Sequence, residues 1–120
     1  MAYAQIQKEM KNSFKHAFRG LAYTLEESTF RIMLAITLIV AVLAIVLRVT
    51  LIEASVLVLT VTVVLGLESL NTQIEKVLDI LEPRTNHRIG VIKDVSAAAV
   101  LIASIGAVII GLIIFLPYLI

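Results

Sequence analysis

The 120-residue chain has no cysteine and no tryptophan, and only two histidines. Without cysteine there is no disulfide framework and no thiolate chemistry, and redox compartment is not indicated. His16 and His87 lack partners at metal-ligand spacing and read as interfacial side chains. There is no glycine-rich phosphate loop and no kinase-like Lys or Asp motif of the soluble kind. The polar, basic first thirty residues lack the apolar core of a signal peptide. No internal repeat or low-complexity segment is present. Charge is scarce too, at 16% of residues against 60% hydrophobic, with a mean hydropathy of +1.03. That is too apolar for a soluble domain of this size.

What the chain has instead is long apolar runs. Residues 32–47 and 95–120 are almost free of charge, and a shorter run, 54–67, is bounded by Glu53 and Glu68. A helix needs about 20 residues to cross the hydrocarbon core. The first and third runs meet this, the first by recruiting Phe30 or Val49. The second suffices when its ends reach the interface or face protein. The reading is an all-α integral membrane protein in a single domain, with transmembrane helices at 30–49, 51–70 and 95–118. Lys8, Lys11, Lys15 and Arg19 precede the first span, and Lys76, Arg84, Arg88 and Lys93 lie between the second and third. Only Arg48 separates the first two spans, and nothing basic follows the third. The positive-inside rule places the N-terminus and the 81–92 loop in the cytoplasm of a multi-pass cell-membrane protein, with the C-terminus outside. No nucleic-acid partner is expected.

Before the first span, Phe14, Ala17, Phe18, Leu21 and Leu25 recur at spacings of three and four, with lysines elsewhere on the turn. This pattern predicts an amphipathic helix within 1–28 lying in the cytoplasmic interface, with a bend at Gly20. Ser28 is the expected N-cap of the first span. The short link "LRVTLIE" predicts an antiparallel hairpin of the first two spans. Pro83 and Gly90 mark the loop. Ser96, Ala97, Ala98, Ala99, Ala103, Ser104, Gly106 and Ala107 favour close helix contact in lipid.

The stretch with chemical content is "LGLESLNTQIEKVLDI", residues 65–80. At about 100° per residue, Glu68, Asn71, Glu75 and Asp79 fall at roughly 0°, −60°, −20° and +20° on one narrow helix face. Ionisable groups this close to hydrocarbon are expensive and usually mark function. Glu68 is the deepest and is suited to taking a proton. Glu75, further out, suits a hard cation such as Mg²⁺ carried on a nucleotide. Lys93 and Asp94 bring a cation and a carboxylate to the start of the third span. The bland reading makes Glu75, Lys76, Asp79 and Glu82 the solvated end of a long helix, and Glu53 a structural residue at the outer interface. The residues themselves reach a small polytopic membrane protein with an acidic cytoplasmic site.

The order "E-x-L-N-T-x-I-E-x-x-x-D", a short loop, then "K-D-x-x-A-A-A-V" resembles the prokaryotic diacylglycerol kinase family. So do "SFKHAFRGL" and the acidic residue before "FRI". The ending "GLIIFLPYL", the "FKHAFRGL" entry and the lack of tryptophan are more similar to its Gram-positive undecaprenol kinases. The resemblance implies a homotrimeric bundle that moves the γ-phosphate of Mg-ATP onto a lipid alcohol, at sites formed between subunits. By position it implies Glu68 as general base, and Glu27 and Glu75 as ligands of Mg²⁺. Asn71 and Asp94 become catalytic residues. His16, Glu27, Glu75, Asn86, Lys93 and Asp94 become nucleotide-binding, and Glu68 and Ala97 line the lipid substrate. The sequence departs from the family pattern in three places. Gln73 stands where Ala or Ser is usual. The stretch from Gly20 to Glu27 is one residue short, which leaves Glu26 as a rival metal ligand. Asn86, followed by His87, occupies the loop's usual histidine position. The expected activity is an ATP- and Mg²⁺-dependent lipid kinase, with undecaprenol preferred over diacylglycerol (which would give phosphatidic acid). Rival readings are a small proton-coupled transporter using Glu68 and a purely structural membrane subunit.

Overall fold

The computed structural model describes residues 1–84 and 86–120; Thr85, within the expected cytoplasmic loop, lies outside the described residues. Among the described residues there are four helices: α1 (Ala2–Thr24), α2 (Ser28–Leu47), α3 (Leu51–Leu81) and α4 (His87–Leu119). α2, α3 and α4 are each long and apolar enough to cross a membrane. The chain divides into two units, Met1–Ile32 and Met33–Ile120.

In the first unit, α1 is continuous through Gly20, and the Thr24 hydroxyl donates to the Gly20 carbonyl at 2.9 Å. One glycine in a 23-residue helix weakens it but does not break the ladder. No residue of α1 is buried, and its apolar face, with Phe14, Phe18 and Leu21, is exposed. Ser28 is the first residue of α2 and not its cap. The Arg31 N–H donates to the Glu27 carbonyl at 3.1 Å, which puts the cap position at Glu27. The preceding turn is the reason. The N–H groups of Glu26 and Glu27 are still held by the Tyr23 and Thr24 carbonyls, so helical pairing restarts one residue earlier than the serine suggests.

In the second unit a three-residue link, 48–50, joins α2 to α3. Arg48 adopts φ 55°, the left-handed region. Its N–H and that of Val49 donate to the carbonyls of Ile45 and Ala44, both at 3.2 Å, closing α2 in a Schellman pattern with arginine where glycine is usual. Thr50 then starts α3 with a capping box. Its hydroxyl accepts from the Glu53 N–H at 3.1 Å, and the Glu53 carboxylate accepts from the Thr50 N–H at 2.9 Å.

α3 has 31 residues, roughly 46 Å at 1.5 Å per residue, well beyond a hydrocarbon core of about 30 Å. The short apolar run at 54–67 is thus the middle of a helix that continues past the lipid. α4 begins at His87, so the connection is residues 82–86 and shorter than the loop expected at 81–92. Asn86 causes this. It is extended, and its side chain accepts the Arg88 N–H at 2.8 Å, capping a helix whose first turns are polar.

The most extensive backbone approach is between α3 and α4, not between α2 and α3 as the short link suggests. Half-buried Ser96, Ala103, Ser104 and Ala107 on α4 let the backbones come close. α2 contributes side chains instead: Val40, Leu43, Ala44 and Leu47, with Val49 of the link, pack on Leu57, Ile114 and Phe115. The pair is antiparallel, since Tyr118 meets Glu53 and Lys93 meets Asp79. Hydroxyls within the apolar segments donate to carbonyls four residues back, as at Thr37, Ser55, Thr60 and Thr62, which pairs these groups within their own helix. Most large apolar side chains of α2, α3 and α4 remain exposed on the single chain, an area far beyond what water tolerates.

Candidate active site

The loop end of α3 gathers the acidic residues. Its apolar middle ends at Leu67, and a helix period of 3.6 carries Glu68, Asn71, Glu75 and Asp79 onto one face. Glu68 is 6% exposed, the one buried charged residue among the described residues. Asn71 and Glu75 are half-buried and Asp79 is exposed, so the face runs from buried to wet in three steps.

Three hydrogen bonds organise it. The Thr72 hydroxyl donates to the Glu68 carbonyl at 3.1 Å. The Asn71 amide nitrogen, Nδ2, lies 3.5 Å from Glu75 Oε1, a long contact at the edge of hydrogen bonding. From α4, Ser96 Oγ donates to Asn71 Oδ1 at 2.7 Å. At the outermost step, Lys93 Nζ pairs with Asp79 Oδ1 at 2.5 Å, with the two side chains 35% and 64% exposed. The loop end is therefore a carboxylate shielded from water, an amide cross-linked to α4, a second carboxylate beside the amide, and an ion pair at the rim.

Among the expected site residues, the structure brings Glu68, Asn71, Glu75 and Lys93 to this end of the pair. Asp94 and Ala97 lie on α4 within one turn of Ser96, and both are exposed. Asn86 is spent on capping α4. His16, exposed in α1, and Glu27, half-buried at the start of α2, belong to the first unit; Glu26 beside Glu27 is exposed.

Ser96 was legible only as a small residue that permits close packing. A sharper signal was its place three residues after Lys93, which puts both on one face of α4. At the opposite end of the pair, the Tyr118 hydroxyl donates to Glu53 Oε1 at 2.5 Å, tying the last turn of α4 to the capping box of α3. Glu53 thus serves both the α3 cap and a cross-helix bond.

The donor set decides what ion it suits. Among the described residues no three His, Cys, Asp or Glu side chains gather into a metal cluster. Glu75 and Asn71 are hard oxygen donors, and the Asn71 oxygen is already engaged by Ser96. Mg²⁺ is commonly held by one or two carboxylates, with water and phosphate oxygens filling its shell. The hard oxygen donors present are of the chemical type that suits such an ion.

A groove of about 340 Å³ lies between α2, α3 and α4, lined by Leu43, Leu57, Val61, Val64, Ala107 and Phe115 among others. Its α3 wall ends at Val64, one helical turn before Glu68.

Two curated relatives are similar to this chain. A diacylglycerol kinase of Synechocystis sp. is 36% identical over 115 residues, covering 94% of this chain and 66% of the relative. An undecaprenol kinase of Bacillus subtilis is 33% identical over 108 residues, covering 89% of this chain and 88% of the relative. The chain thus spans about two thirds of the length of the Synechocystis protein. The family described as prokaryotic diacylglycerol kinase matches residues 15–115, a range that holds the whole acidic face, Ser96 and the Lys93–Asp94 pair. On these residues and over this length, the chain belongs to the prokaryotic diacylglycerol kinase family.

Proposed function

We propose that the protein is a membrane kinase that transfers the γ-phosphate of ATP to the hydroxyl of a lipid alcohol, with Mg²⁺ accompanying the nucleotide. The observation that carries this reading is the graded face of α3, with buried Glu68 next to apolar helix and Glu75 two turns nearer water. A lipid hydroxyl and a soluble nucleotide can meet only at such a boundary. The groove that ends one turn from Glu68 supports an apolar tail on the acceptor.

In this reaction Glu68 takes the proton of the lipid hydroxyl as its oxygen bonds to the γ-phosphorus, the bridging bond to the β-phosphate breaks, and ADP leaves. General-base help of this kind contributes about 10²–10⁴-fold. The rest is positioning and charge neutralisation. Glu75 and Glu27 would hold Mg²⁺, which would supply charge neutralisation at the phosphates. Lys93 supplies a positive charge for phosphate, released from Asp79 when the nucleotide binds. Asn71 and Asp94 orient the reacting groups, His16 and Asn86 complete the nucleotide site, and Ala97 lies against the lipid.

The proposed molecule is one membrane kinase domain with spans at 30–49, 51–70 and 95–118, the 1–28 helix in the cytoplasmic interface, and the site cytoplasmic. The N-terminus is inside and the C-terminus outside. A homotrimer is proposed from the family resemblance, and it accords with the largely exposed apolar surface of the single chain, part of which other subunits would cover.

Undecaprenol is the preferred acceptor, supported by the Bacillus subtilis relative, which covers most of both chains. Diacylglycerol is the second reading, favoured by the higher identity to the Synechocystis protein. Purified protein given labelled ATP, Mg²⁺ and a panel of C55-isoprenol, shorter isoprenols and diacylglycerol separates them. Phosphorylation of isoprenols alone selects the first acceptor, of diacylglycerol alone the second. Transfer to none of them removes the kinase reading.

A further inference from the structure

Residues 96–99 read Ser-Ala-Ala-Ala, yet Ala97, Ala98 and Ala99 are exposed and only Ser96 is half-buried against α3. Its hydroxyl is also the group that crosses to the acidic face, donating to Asn71 Oδ1 at 2.7 Å. On the far side of the same amide, Nδ2 approaches Glu75 Oε1. An ionised carboxylate only accepts hydrogen bonds, so the amide can serve Glu75 only with its nitrogen turned that way. That leaves the oxygen facing α4, where it needs a donor. Ser96 is that donor. Without it the half-buried oxygen loses its partner, and the amide gains by rotating toward water, which withdraws the N–H from Glu75.

We propose that Ser96 is a positioning residue: it fixes the Asn71 amide and, through it, the Glu75 carboxylate that meets the Mg-nucleotide. The inference rests on the kinase reading of this site and adds a residue on α4 to it. Partners that orient a metal-ligating group commonly change metal affinity or activity by roughly 10–100-fold when removed. The long Asn71–Glu75 contact puts Ser96 at the low end of that range.

The test uses the full chain in lipid nanodiscs with three variants. Ser96→Ala removes the hydroxyl, and Ser96→Thr and Ser96→Val form a pair of one shape that differs in the hydroxyl alone. The readout is the rise in thermal midpoint with a non-hydrolysable ATP analogue and Mg²⁺, which needs no turnover. The expected result is that Ala and Val raise the Mg²⁺ concentration for half-maximal stabilisation about tenfold, the low end of that range, while Thr stays near wild type. The midpoint without nucleotide should be similar for Thr and Val. In protein labelled with ¹⁵N-asparagine, the Asn71 side-chain amide should exchange faster with water in Ala and Val than in Thr. Equal Mg²⁺ dependence for Thr and Val overturns the inference, because shape and not the hydroxyl would then matter. A wild-type protein that phosphorylates a lipid while Ala and Val respond like wild type overturns it alone. A wild type with no response to Mg-nucleotide overturns it together with the kinase reading.

Discussion

The two ends of the α3–α4 pair both carry a glutamate in a cross-helix hydrogen-bonded group, and they use it in opposite ways. At the Tyr118 end, the Glu53 carboxylate accepts from the Thr50 N–H and the Tyr118 hydroxyl, and its own N–H is capped by Thr50. The group closes on itself. At the loop end, the path from Ser96 through Asn71 stops at Glu75, whose carboxylate retains acceptor capacity, since an ionised carboxylate offers about four lone-pair sites. Bonded through Oε1 to its own cap and to the facing helix, the Glu53 carboxylate ties α3 to α4. The Glu75 carboxylate, which has only the long Asn71 contact among the described hydrogen bonds, is the one proposed to take a ligand.

The sharpest way to break this comparison is at Glu68. Glu68→Gln keeps shape and hydrogen bonding but removes the base, and should lower kcat by about 10²–10⁴-fold with little change in the Mg²⁺ requirement. Steady-state kinetics across Mg²⁺ concentrations checks both parts. A variant with full turnover would falsify the assignment of the base.

Next in size is Glu75→Gln, seven residues and about 10 Å along α3 from Glu68. Its loss should raise the Mg²⁺ and ATP concentrations for half-maximal activity by roughly 10-fold or more, with partial rescue by excess Mg²⁺. Rescue of Glu68→Gln by Mg²⁺ in the same assay would show that the two roles are exchanged.

The Tyr118 end should respond in stability and not in rate. Tyr118→Phe and Thr50→Ala should each lower the thermal midpoint, the second by removing a cap worth about 0.5–2 kcal/mol. Neither should alter kcat or KM in protein that remains folded. A change in the Mg²⁺ requirement would mean that the two ends are coupled.

Smallest is Arg48→Gly in the link. Relieving a left-handed non-glycine residue should raise stability by on the order of 1 kcal/mol, read as a small rise in the thermal midpoint with turnover unchanged. A fall in the midpoint would show that the arginine side chain is itself a partner at that end.

Much of this was legible in the sequence because hydropathy and helical period are local. The three long apolar helices followed from runs of Ile, Leu and Val, and the shared face of Glu68, Asn71, Glu75 and Asp79 from their spacing alone. Terminal residues were less legible. Ser28 has the chemistry of a cap, but the preceding turn, held by the Tyr23 and Thr24 carbonyls, moves the cap to Glu27. Gly20 looked like an interruption, yet the helix continues through a single glycine. The 81–92 stretch has loop composition, but Asn86 caps α4 early. Ser96 needed the structure, because its meaning is a cross-helix distance and the sequence shows only a small side chain among alanines. The close pairing of α3 with α4 is likewise a packing outcome, set by which small residues face which helix.

The link at 48–50 also bears on how the chain enters a membrane. In the proposed orientation it is the segment that must be carried through hydrocarbon when α2 and α3 insert. An unsatisfied backbone group in that medium costs several kcal/mol. Here the Schellman bonds at Arg48 and Val49 and the capping box at Thr50 and Glu53 pair the N–H groups of the turn before any other helix is present. In that orientation α2 and the start of α3 would cross with the N–H groups of this turn already paired, and with Arg48 and Glu53 as the main charged load. Tyr118 arrives only with α4, so its bond to Glu53 would latch the hairpin after insertion is complete.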